Sequence, residues 1–154
     1  MESSPSSTRE LTLEEAVSVA ILLQKNQQFV EAHEVYRCVL EAAPDHPRAL
    51  HYAGVLAHQQ GNEEALKLIE RSVALVPDQA DWHSNLGIVL QTIDRLDPAI
   101  CSYRRAIAID PGHANAHNNL GVLLRATGQP VEAEAAYRAA IQLLAFAVAL
   151  VTMA

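Results

Sequence analysis

The 154 residues suffice for one ordinary domain, and half of them are apolar, enough for a buried core. Only 5% are aromatic and 19% charged, with many Ala and Leu and few β-branched alternations, which argues against a β-sandwich or barrel and for an all-α chain. Eleven Lys and Arg against eighteen Asp and Glu give a net charge of −7 with neutral His, which argues against sequence-independent nucleic-acid binding.

In chain order, residues 1–10 (MESSPSSTRE) are polar, read as a disordered tail, and lack the charged-then-apolar order of a secretory signal. Thr12 and Glu15 form a capping-box signature before a first helical segment. From there the chain repeats itself. A small residue recurs at Ala20, Gly54, Gly87 and Gly121, with spacings of 34, 33 and 34. An alanine recurs at Ala32, Ala65, Ala99 and Ala133, a larger residue at Tyr36, Ile69, Tyr103 and Tyr137, and a proline at Pro44, Pro77 and Pro111. The step from small residue to alanine is 12 residues in three units but 11 between Gly54 and Ala65, so the second unit has one residue fewer in its inter-helix turn. The units are 13–46, 47–79, 80–113 and 114–147, followed by an apolar extension of the last helix over 148–154.

Each unit reads as two amphipathic helices joined by a short turn. In the third, Trp82, Leu86, Val89 and Leu90 fall at helical spacing, Asp97-Pro98 supplies a cap and first-turn proline, and Ile100, Tyr103, Ala106 and Ile107 follow. Trp82, Tyr36, Tyr103 and Tyr137 are expected in the core. Gly61-Asn62 and Gly128-Gln129-Pro130 punctuate the second and fourth units. A mid-helix glycine costs about 1 kcal/mol in propensity, so its recurrence at one register implies close helix crossing rather than a phosphate loop.

Leu86-Gly87, Leu90, Ala99, Tyr103, Ala106 and Pro111, with Leu120-Gly121, Leu124, Ala133, Tyr137 and Ala140, give the chain a pattern that resembles the tetratricopeptide repeat (TPR) family over about 135 of 154 residues. The second unit (Ala53, Ala57, Ile69, Ser72) and the first (Ala20, Val39) depart further from it. The resemblance implies a right-handed α-α solenoid of about four helix pairs, and a scaffold that binds a protein or peptide segment in a groove lined by the first helices.

The family's groove register falls on Glu14, Val17, Ser18, Ile21 and Gln24 in the first unit and Arg48, His51, Tyr52, Val55 and His58 in the second. The third contributes Asp81, Ser84, Asn85, Ile88 and Gln91, and the fourth Asn115, Asn118, Asn119, Val122 and Arg125. One TPR subclass clamps acidic C-termini of chaperones with Lys, Asn and Arg; Val17, Ile21, Tyr52 and Asp81 stand in its positions, so that clamp is not expected. Asn85 and Asn119 share one register, similar to the asparagine-lined TPR superhelix of O-linked N-acetylglucosamine transferases. Two readings stand at that point: a ladder that bonds a peptide backbone, or asparagines that solvate an exposed face. Arg48, His51, His58 and Arg125 make the groove less acidic than the chain, which favours a polar or mildly acidic segment.

No GxSxG, HExxH, Walker or GxGxxG spacing is present, so no catalysis and no cofactor are expected in this chain. The alternative function is the substrate-recruiting TPR region of a glycosyltransferase whose catalytic domain lies outside these residues. His113 and His117 stand four apart, as two metal ligands on a helix would, but no third ligand shares the spacing, and His113 reads as an N-terminal cap neighbour. Cys38 and Cys101 lie 63 residues apart without CxxC spacing, consistent with a reducing, cytoplasmic setting.

After Arg138 no charged residue occurs, and the closing proline expected near Ala145 is missing. The last helix should therefore run on, exposing Leu144, Phe146, Leu150 and Val151, since a terminal repeat ordinarily needs a polar outer face. A homo-oligomer through this segment, or a longer protein whose next element covers it, is expected; a membrane anchor is the third reading, disfavoured because the uncharged run is too short for a span and lacks an amphipathic basic face.

Overall fold

The computed structural model describes residues 11–152; the N-terminal tail and the last two residues of the expected extension lie outside them. Among the described residues the secondary structure is eight helices: α1 (Leu13–Lys25), α2 (Phe29–Ala42), α3 (Pro47–Gln59), α4 (Ala65–Leu75), α5 (Ala80–Thr92), α6 (Leu96–Ile109), α7 (Ala114–Ala126) and α8 (Pro130–Thr152). Each helix packs on its chain neighbours, and α1 also meets α3 as α3 meets α5. The first helices of successive units thus lie side by side on one face of an all-α solenoid.

The repeated residues are the ones that make these contacts. A Cβ built on Gly87 would stand 2.6 Å from the Tyr103 ring, and one on Gly121 would stand 2.9 Å from the Tyr137 ring. In the second unit the wall is Ile69, whose Cγ1 would stand 2.6 Å from a Cβ on Gly54. The close approach of first to second helix is therefore what fixes glycine at this register. Ala32, Ala65, Ala99 and Ala133 are buried opposite, and three apolar clusters follow one another along the stack: Val17, Tyr36 and Leu56; Ala57, Ile69 and Val89; then Leu90, Tyr103, Leu120 and Leu124. Full burial of each Leu contributes about 1.5–3 kcal/mol.

The turns repeat as well. Gln27, Gly61, Asp94 and Gly128 occupy one position after the first helix of each unit and all are left-handed, with φ of 62°, 68°, 60° and 78°. Since Gly61 keeps its distance from Gly54, the residue missing from the second unit comes from between Gly61 and Ala65. Its effect is to remove a turn of helix: the repeated alanine is the first residue of α4 but the fourth of α2, α6 and α8.

Helix starts differ in their chemistry. Thr12 and Glu15 make the reciprocal capping box. His46 and His113 cap α3 and α7 by accepting the N–H of Ala49 at 3.3 Å and of Ala116 at 3.1 Å on Nδ1. One expectation is corrected in part: α6 begins at Leu96 with Arg95 as N-cap, so Asp97 falls inside the first turn rather than at the cap, while Pro98 is a first-turn proline as expected. Proline is tolerated there because the first-turn N–H groups have no helical acceptor.

Candidate functional site in the first-helix face

The face shared by the first helices is indented by a cavity of about 300 Å³, lined by His51 and Tyr52 of α3, Asp81, Trp82, Ser84, Asn85 and Ile88 of α5, and His113, Asn115 and Asn119 at and after the start of α7. It draws on three consecutive units. Its lining mixes carboxamide, hydroxyl and imidazole groups with one indole, so it offers hydrogen-bond donors and acceptors beside an apolar wall.

Two histidine contacts tie successive units together, one of them at the cavity rim. His113 donates from Nε2 to Asp81 Oδ1 at 3.0 Å while its Nδ1 caps α7. His46 does the same one pair of units earlier, with Glu14 Oε1 3.2 Å from its Nε2. A neutral ring protonated on Nε2 satisfies both partners in each case. His117 and His83 turn elsewhere, donating to the carbonyls of Pro111 at 3.0 Å and Pro77 at 2.9 Å. His113 and His117 therefore serve separate structural partners and do not converge as metal ligands. Among the described residues no group of three or more His, Cys, Asp or Glu side chains could hold a metal ion.

His51 is the point where the structure corrects the sequence reading most. Expected as a groove-facing side chain, it is 1% exposed. Its ring stacks on Trp82 with centroids 4.6 Å apart and planes 10° from parallel, and meets Tyr52 edge-on at 5.1 Å. Nε2 lies 3.0 Å from Asn85 Nδ2, whereas Nδ1 is buried without a partner among the described residues. Burial alone lowers its pKa to about 4, so the ring is neutral at physiological pH. Trp82, expected in the core, is instead half-buried and forms a wall of the cavity. The signal was legible: Trp82 stands three residues before Asn85, on the same side of α5.

The other expected groove positions divide by what already holds them. Arg48 donates to Glu14 Oε2 at 3.0 Å and to Ser18 at 3.2 Å, so its charge is paired within the chain. Gln24 and Gln91 accept from the hydroxyls of Tyr36 and Tyr103, both at 3.0 Å. Val55 packs on the middle apolar cluster, and His58 lines a separate cavity with Asn62, Ala65 and Ile93. Ser84 is buried beneath the cavity, and Val17 lies wholly in the core. Asn115 and Asn119 remain in the lining, while Asn118, Val122 and Arg125 are exposed on α7 outside it. With Arg48 paired and His51 neutral, the excess of positive charge expected in the groove reduces to Arg125.

Helix pairs stacked with their first helices on one side define an α-solenoid of the interaction-scaffold class. Tetratricopeptide-repeat profiles match residues 20–65, 45–112 and 102–135, and the chain belongs to the tetratricopeptide-repeat family. No protein of curated function matches it by sequence. Among solved structures, MamA from Desulfovibrio magneticus RS-1 superimposes with a TM-score of 0.77 at 22% identity, over 86% of this chain and 75% of that one. A second MamA crystal structure gives 0.79 at 21% identity, over 89% and 81%. At this identity the likeness is one of fold. A mutant O-GlcNAc transferase from Thermobaculum terrenum gives 0.70 at 32% identity over 80% of this chain, which corresponds to only 23% of the transferase.

Proposed function

We propose that the chain is a non-catalytic scaffold that holds an extended segment of another protein across the first-helix face of its second to fourth units. The observation that carries this reading is the polar cavity shared by α3, α5 and α7, with Asn85 and Asn119 at equivalent positions of successive units. A carboxamide supplies both a donor and an acceptor, matching the main-chain N–H and C=O of an extended peptide without demanding a particular sequence. Selection of a displayed random-peptide library on the wild-type chain, with the Asn85→Ala/Asn119→Ala variant in parallel, tests it. Binders that lose affinity for the variant support the groove; binders indifferent to both substitutions place the binding surface elsewhere.

The same chain self-associates, in this reading, through the end of α8. Leu144, Phe146, Leu150 and Val151 are each 56–80% exposed, on a stretch without a charged side chain. By length and composition α8, Pro130–Thr152, is a helix able to cross a membrane, which corrects the expectation that this end of the chain is too short to do so. In this reading a second copy covers the exposed apolar end of the helix.

A second reading is favoured by the 32% identity to the transferase: the repeats recruit protein substrates for a glycosyltransferase domain encoded beyond residue 154. The coding sequence downstream of these residues decides for it or against it.

A further inference from the structure

We infer that His51 is a positioning residue for the central cavity, holding the Asn85 carboxamide so that its oxygen and second N–H face the cavity as a paired acceptor and donor for one main-chain amide of an uncharged, extended peptide. This rests on the groove reading above and adds to it the residue that sets the orientation of the contact group.

The hydrogen bond between Asn85 Nδ2 and His51 Nε2, 3.0 Å long, uses one of the two carboxamide N–H groups. The other N–H and the oxygen are left for the cavity that Asn85 lines. An Nε2 that accepts must leave the ring proton on Nδ1, the atom that is buried without a partner. A buried donor without an acceptor is unfavourable, and an apolar side chain at this position, such as the neighbouring Leu50, would avoid it. The residue type therefore makes sense through what it does for Asn85. The ring is in turn clamped, face to face by Trp82 and edge-on by Tyr52, so the lone pair on Nε2 has one direction. Burial keeps that lone pair free of a proton at neutral pH.

The ligand chemistry follows from the rest of the lining. Asp81 stands at the rim, bonded to His113, and disfavours a carboxylate beside it. Asn115 and Asn119 continue the row of carboxamides onto α7. Tyr52 takes the second unit's place in the asparagine register, so the carboxamide row begins at Asn85, and that is the residue whose orientation is fixed.

Two measurements on the full chain test this. Long-range 1H–15N correlation on histidine-labelled protein at neutral pH is expected to show His51 protonated on Nδ1, and Asn85→Ala is expected to shift the Nε2 signal. A ring protonated on Nε2, or one indifferent to Asn85→Ala, overturns the proposal. For binding, the probe is a capped peptide of about twelve residues, three repeats of Ser-Val-Thr-Ala. His51→Phe, which keeps an aromatic ring against Trp82, is expected to weaken binding about tenfold, and His51→Gln, which restores an acceptor, to recover most of it. Wild-type affinity in His51→Phe contradicts the positioning role. If the probe binds no form, wild type included, the groove reading fails while the tautomer measurement still decides whether His51 orients Asn85. If His51→Phe does not fold, His51→Gln and the tautomer carry the test.

Discussion

Gly87 has no room for a methyl group: the space its Cβ would take is 2.6 Å from the Tyr103 ring, which is wholly buried. Gly87→Ala gains about 1 kcal/mol of helix propensity but forces the helix pair apart, so a net loss of about 1–3 kcal/mol is expected in urea denaturation. The opposite sign is expected where a side chain occupies glycine's backbone region. Gln27 has φ 62° at the position Gly61 and Gly128 fill in other units. Gln27→Gly should raise stability by about 0.5–1 kcal/mol, and Asp94→Gly by less, since aspartate tolerates this region better than glutamine. His51 supplies a pH dependence. Its native pKa, about 4, lies below the ordinary histidine value of 6.5, so the unfolded chain binds the extra proton between those values. Stability from this group is complete above pH 6.5 and falls as pH drops towards 4, by on the order of 3 kcal/mol in total. Thermal melts across that window should show wild type losing more stability than His51→Leu; equal losses contradict the buried neutral ring.

At the scale of elements, three of the repeated positions were legible because each has a steric cause that admits few residue types: a small residue at the crossing, alanine opposite it, a large side chain against both. Local rules failed where several satisfied the same place. Asp97-Pro98 looks like a helix start, yet the Leu90 carbonyl accepts from Arg95 and the helix opens at Leu96, two residues before Pro98. The length of α8 was readable from the missing proline, and its 23 residues compare with 14 in α2 and α6. Light scattering after size-exclusion chromatography should find the full chain dimeric or larger and a chain ending at residue 143 monomeric, with helical content otherwise kept. Equal monomeric masses contradict self-association through this helix end.

For the molecule as a whole, periodicity locates a face but not what each side chain on it does. Asn85, Asn119, Tyr52 and Asp81, all at register positions, line one cavity. The register could not show that His51 lies beneath that cavity, because that depends on the ring of one unit stacking on the indole of the next. Arg48 misled for a related reason: its charge is met by Glu14, 34 residues away in sequence but adjacent across the α1–α3 seam. Contacts between units decide which register positions remain free for a partner, and those contacts are set by the solenoid's geometry rather than by the local pattern.

A partner on the first-helix face should perturb the side-chain amide signals of Asn85, Asn115 and Asn119 in 1H–15N NMR while a selected peptide is added. Saturable shifts are expected in these three, with Asn62, which lines two other cavities, unmoved. Shifts confined to Asn62 and its surroundings, with the three carboxamides silent, would contradict a partner on that face.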